Sequence, residues 1–182
     1  MGDRYEIRFS GSGGQGLILA GVIFAEAATI YDKINAVQSQ SYGPEARGGA
    51  SKSEVILSED VIDFPKALGI DLQLSLTQES CSKYYKDIKP NGILLVDEDF
   101  VRDIPKGDFQ VIRLPIIRTA SEEIGKAFVA NIVATGAITA ITGKVKIESV
   151  EKAVLSRVPK GTEEMNKKAL RAGYDMAKAR MN

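Results

Sequence analysis

The 182-residue chain has no histidine and no tryptophan, and its one cysteine is Cys81. Without an imidazole there is no Ser-His-Asp or Cys-His nucleophile pair and no histidine-ligated metal. A lone thiol closes no intramolecular disulfide and cannot supply the four thiolates of an iron–sulfur cluster. No N-terminal signal pattern is visible, and no apolar run reaches the roughly 18 residues that a membrane span needs; the run that starts at Leu17 breaks at Glu26. These absences lead to the expectation of a cytoplasmic protein with no membrane attachment. Net charge is missing as well, since 24 Lys or Arg face 24 Asp or Glu. From Gly143 onward there are ten basic against five acidic residues. That excess suits solvated helix faces and is too sparse for a nucleic-acid-binding stripe.

What is present fits one globular domain spanning residues 1–182, with 44% hydrophobic and 26% charged residues. The chain is organised around Gly11, Ser12, Gly13, Gly14, Gln15 and Gly16. This loop lies between an alternating segment at 5–9 and an apolar helical run from Leu17 to Ala28. Gly11, Gly13 and Gly16 have the G-x-G-x-x-G spacing of a strand–turn–helix that offers backbone N–H groups to an anion. A close βα turn favours glycine for packing alone, so a purely structural loop remains open. A dinucleotide site also needs an acidic residue at the end of the second strand. The second strand, at 34–37, ends in Gln38-Ser39-Gln40, and Asp32 precedes it. The scaffold is therefore read as Rossmann-like without support for bound NAD.

The expected fold is α/β: a three-layer arrangement with a mostly parallel sheet flanked by helices and two C-terminal amphipathic helices. The first strand alternates Tyr5, Ile7 and Phe9 with Glu6, Arg8 and Ser10, which predicts one sheet face only partly covered. A polar segment at 38–49 is long for a plain connection and is read as a shaped functional surface. Residues 51–57 read as an edge-like strand, with a short piece at Val61-Ile62. Strands follow at 70–76, 93–96 and 109–114, with Pro90-Asn91-Gly92 as a turn. Thr77 is the expected N-cap of a helix on which Cys81 is a packing residue. Asp97, Glu98 and Asp99 read as a solvated loop and not a metal site. A small-residue helix spans 124–141, its Asn131 satisfied by backbone. Amphipathic helices at 147–154 and after Thr162, the second expected to be capped by that residue, complete the chain.

Paired with the glycine loop, the segment Tyr42, Gly43, Pro44, Glu45, Ala46, Arg47, Gly48 and Gly49 resembles the gamma subunit of the 2-oxoacid:ferredoxin oxidoreductases. The resemblance implies an accessory subunit of a complex that oxidatively decarboxylates a 2-oxoacid, forms acyl-coenzyme A and reduces ferredoxin. Thiamine diphosphate, Mg and iron–sulfur clusters would then be held by alpha and beta, and where present delta, subunits, with coenzyme A as co-substrate. No such cofactor is expected on this chain alone, and a homodimer of the isolated chain is left open. The second loop is most similar to the 2-oxoglutarate type, with branched-chain 2-oxoacid and indolepyruvate enzymes as alternatives. Lys52 stands where a cysteine is frequent in the oxoglutarate type. Readings from other classes are a stand-alone nucleotide-binding regulatory module and an independent NAD-dependent enzyme.

Overall fold

The computed structural model describes residues 3–41 and 49–182. Its centre is a six-stranded mixed sheet in the order β2-β3-β1-β4-β5-β6. The strands are β1 (Arg4–Ser12), β2 (Asn35–Ser41), β3 (Ala50–Ser58), β4 (Ile70–Ser75), β5 (Ile88–Asp97) and β6 (Phe109–Leu114). β1, β4, β5 and β6 run parallel in succession, while β3 pairs antiparallel with both β1 and β2. The mostly parallel α/β arrangement is as the sequence predicts. The strand after the first helix is not: β2 lies at the sheet edge, parallel to β1 but separated from it by the antiparallel β3, so the adjacent β1–β2 pair of a dinucleotide-type βαβ unit does not form there.

β3 is likewise an interior strand, not an edge. Its alternation arises because one face of this sheet is polar yet buried. Glu6 and Arg8 are 2% and 3% exposed, which corrects the expectation of a partly covered face. Charges can be buried only when paired and hydrogen-bonded. Glu6 accepts from the N–H groups of Leu68 and Gly69 at 2.7 and 2.9 Å and from Arg4 at 3.0 Å. Arg4 in turn donates to the carbonyls of Phe64 and Lys66, fixing an irregular connection where a short strand was expected at Val61-Ile62. Arg8 pairs with Glu54 at 2.6 Å and Asp87 at 2.7 Å.

The apolar face carries Ile7, Phe9, Val55, Leu72, Leu74 and Leu95 against the main helical layer. That layer contains α1 (Leu17–Glu26), α4 (Ala130–Thr142), α5 (Ile147–Arg157) and α6 (Glu163–Met181). Phe9 and Phe24 meet edge to face at 6.2 Å, locking β1 to α1. α2 (Gln78–Tyr84) and the chain around Val101 cover the other face through a smaller core of Cys81, Leu94 and Val96. α3 is one short turn, Ile116–Arg118.

Several boundaries differ from the sequence reading. β5 begins before Pro90, and Asn91 adopts φ 62° inside the strand while its N–H bonds the Asp108 carbonyl, so the expected turn is a local irregularity. The helix expected from Ile124 starts only at Ala130; Phe128 is 70% exposed ahead of it. Thr77 caps α2 as predicted, its side chain accepting from the Ser80 N–H. Thr162 precedes α6 but its hydroxyl donates to the Pro159 carbonyl and caps nothing.

Candidate functional site

The glycine loop leaves the carboxyl end of β1, the end at which α/β sheets present ligand sites. Gly11 and Ser12 are still strand residues, paired with Ser51 and Ala50 of β3. The turn proper is made by Gly14 at φ 86° and Gly16 at φ 72°, left-handed values that L side chains adopt only with strain. Gln15 folds back, and its Oε1 accepts the Ser12 N–H at 2.8 Å. Gly16 is the N-cap of α1, whose first helical bond runs from the Ala20 N–H to the Gly16 carbonyl at 3.0 Å. The N–H groups of the first turn ahead of it have no helical acceptor.

Asn131 completes this corner. Its Nδ2 donates to the Gly16 carbonyl at 3.1 Å and its Oδ1 accepts the Ile132 N–H at 3.0 Å. The amide is satisfied by backbone, as expected, and the backbone it holds is that of the glycine loop. A Cβ on Gly16 would lie 2.5 Å from that Nδ2. The third glycine therefore lets α4 approach the loop.

Beside the loop opens a cavity of about 630 Å³. Ser12, Gly13, Gly14 and Gly16 form one wall; Ile18, Leu19 and Val22 of α1 form an apolar one; Ser41, Gly49, Ala50 and Ser51 come from the ends of β2 and β3. Arg157, at the end of α5, also lines it. The guanidinium is held bidentate by Glu26, through Nε to Oε2 at 2.6 Å and Nη2 to Oε1 at 2.5 Å. The hydrogen bond from Arg157 holds the Glu26 carboxyl below its ordinary range. Gly49 is thus brought to the glycine loop. Tyr42, Gly43, Pro44, Glu45, Arg47 and Gly48 lie outside the described residues.

Two features of this cavity escaped the sequence reading. Arg157 lies beyond the amphipathic stretch read at 147–154, and Glu26 is 131 positions away. The apolar wall had a visible signal: Ile18, Leu19 and Val22 lie off the buried stripe of Leu17, Ala20, Gly21 and Phe24, yet are aliphatic. An apolar face beyond what the core consumes needs another occupant.

Cys81 and Asp97 are both held inside the fold. Cys81 is fully buried and burial pushes its thiol up, away from the nucleophilic thiolate. Asp97 is buried, contrary to the solvated loop expected: its carboxylate accepts the N–H groups of Asp99, Phe100 and Ile117. Burial raises it above the ordinary carboxylate range. It ties β5 to the start of α3. Among the described residues there is no cluster of acidic or cysteine side chains suited to a metal, and no helix long and apolar enough to cross a membrane.

A mixed α/β sheet whose glycine turn and neighbouring cavity lie at the carboxyl end of β1 defines the class of fold. The chain belongs to the pyruvate ferredoxin/flavodoxin oxidoreductase family, whose pattern matches residues 6–176. It is 55% identical to the 2-oxoglutarate synthase subunit KorC of Methanocaldococcus jannaschii, over 96% of this chain and 95% of that one. A crystal structure of a keto/oxoacid ferredoxin oxidoreductase gamma subunit from Geobacter sulfurreducens is 57% identical, covers 98% of both chains and superposes with a TM-score of 0.91. The fold recurs, at 19% identity and a TM-score of 0.83, in 2-oxoglutarate:ferredoxin oxidoreductase from Magnetococcus marinus, solved with 2-oxoglutarate, coenzyme A and succinyl-CoA bound. There it matches 98% of this chain and 32% of the longer one.

Proposed function

We propose that this chain is the gamma subunit of a 2-oxoglutarate:ferredoxin oxidoreductase, in which its glycine-loop cavity takes part of coenzyme A while the chemistry proceeds on partner subunits. The observation that carries the substrate is the 55% identity, along nearly the whole chain, to a 2-oxoglutarate synthase subunit. Lys52 does not argue against it. Its ammonium is 2.9 Å from Glu54 and faces the Tyr84 ring in the polar sheet face, well integrated and remote in role from the cavity wall.

The residues do not fit the redox groups of such a complex. A cluster needs several thiolates and the chain has one buried cysteine. Thiamine diphosphate, its metal and the clusters therefore belong to the alpha and beta subunits, with delta where present, and ferredoxin is reached through them. The cavity does fit a phosphorylated co-substrate carrying a slender apolar arm: turn N–H groups, an aliphatic wall and one guanidinium surround it. The segment from Tyr42 to Gly49, with Arg47 as its anchor, is proposed to dock a partner subunit. Residues at its two ends, Ser41 and Gly49, lie in the cavity wall.

The test is reconstitution. The purified chain, given 2-oxoglutarate, coenzyme A, thiamine diphosphate, Mg²⁺ and a dye acceptor, is expected to show no turnover; adding the partner subunits should restore dye reduction that depends on coenzyme A. Preference of the assembled complex for pyruvate, a branched-chain 2-oxoacid or indolepyruvate over 2-oxoglutarate overturns the substrate. Turnover by the chain alone overturns the accessory role.

A further inference from the structure

Nothing in the glycine loop itself is charged, yet among the described residues the cavity beside it contains one cation, and its setting is unusual. Arg157 lines the cavity while Glu26, its bidentate partner, does not. The carboxylate occupies Nε and Nη2, and among the described residues Nη1 and one edge of the planar fork have no other acceptor. A guanidinium clamped from behind loses little rotamer freedom on gripping an anion in front, and its planar donors match phosphate geometry. The pair also ties the far end of α5 to the end of α1, the helix that supplies the apolar wall. Arg157 and the exposed Leu19 thus mark two chemically distinct parts of one cavity.

Resting on the coenzyme A reading above, we infer that Arg157 is the specificity-determining residue of this cavity: it binds a phosphate of the ligand, and Glu26 orients its guanidinium and tempers its charge. The ligand class is a phosphate ester with an apolar arm, the arm on Ile18, Leu19 and Val22. The two residues should then act in opposite directions. Removing the cation weakens the phosphate contact. Neutralising its counter-ion, with an acceptor oxygen kept in place, raises the local positive potential and strengthens that contact.

The assembled complex is titrated calorimetrically with coenzyme A, 3′-dephospho-coenzyme A and pantetheine, as wild type, Arg157→Gln, Arg157→Lys and Glu26→Gln, after size-exclusion confirms assembly of each. Arg157→Gln should weaken coenzyme A at least tenfold and leave pantetheine within twofold, with Arg157→Lys between it and wild type. Glu26→Gln should tighten coenzyme A severalfold at low ionic strength. A loss with coenzyme A that vanishes with the dephospho analogue assigns the 3′-phosphate; a loss that persists assigns the diphosphate.

Three results overturn the inference while leaving coenzyme A binding intact: unchanged affinity in Arg157→Gln, equal losses for pantetheine and coenzyme A, or weakening in both Arg157→Gln and Glu26→Gln, as a purely structural ion pair would give. Absence of coenzyme A binding by the wild-type complex overturns the cavity assignment itself, together with this inference.

Discussion

The Gly16 carbonyl is an acceptor for two donors, the Ala20 N–H of α1 and the Asn131 amide of α4. One atom therefore joins the glycine loop to the most deeply buried helix. Asn131→Ala removes a buried hydrogen bond and leaves the Ile132 N–H without its side-chain acceptor, a change that typically costs about 1–3 kcal/mol. Because the loop and not a reacting group is disturbed, the Michaelis constant for coenzyme A should rise in the assembled complex with kcat little changed. Gly16→Ala should cost at least as much, since it adds left-handed strain to a clash with that same amide. Thermal unfolding and steady-state kinetics of the two variants check both statements. A fall in kcat with an unaltered Michaelis constant would place Asn131 elsewhere in the mechanism.

At the scale of elements, two arrangements deserve measurement. α4 and α6 approach so closely that a Cβ on Gly173 would fall 1.8 Å from the Val133 carbonyl oxygen, and one on Gly136 2.0 Å from that of Leu170. Both obstacles are backbone, so the helices would have to separate. Gly173→Ala is expected to cost about 3 kcal/mol or more, the upper end for overpacking, lowering Tm by roughly 6 °C or more for a chain of this size. The polar sheet face depends instead on pH. Burial pushes the Glu54 carboxyl up, but the hydrogen bonds and charges of Lys52 and Arg8 outweigh it and leave it below its ordinary value of 4.5. A carboxyl lowered in the folded state stabilises above its unfolded value, and that contribution disappears as pH falls through the lowered one. Tm of the wild type should therefore drop below about pH 4.5, whereas Glu54→Gln should start lower at pH 7 and show a shallower acid limb. The elements themselves were largely legible. Period-two runs marked β1, β3 and β4, and the Thr77 cap marked α2, because those signals are local. Strand order was not. Lys52 and Glu54 alternate with Ser53 and Val55 as an edge strand would, and only the ion pair of Glu54 to Arg8, 46 positions away, shows that the polar face is interior.

At the scale of the whole molecule, the site divides the same way. Gly11, Gly13 and Gly16 could be read from spacing; Arg157 could not, since Glu26 reaches it only after α1 and α5 have packed. Docking is where the molecule meets its complex. Ser41 and Gly49, the described residues flanking the segment that contains Arg47, both line the glycine-loop cavity. A partner held by that segment would sit at the cavity mouth, where a bound coenzyme A could pass its thiol end to chemistry on the partner. Arg47 is the expected anchor, because a guanidinium grips a carboxylate through two bonds and tolerates an interface better than an ammonium does. Arg47→Ala should then cost on the order of 2 kcal/mol of assembly, about thirtyfold in affinity, without changing the Tm of the isolated chain. A local ion pair with Glu45 would instead contribute at most about 1 kcal/mol if exposed, and nothing to assembly. Titrating the variant against the partner subunits separates the two, and a folded Arg47→Ala chain that assembles with unaltered affinity and supports full 2-oxoglutarate-dependent dye reduction rules out the docking role.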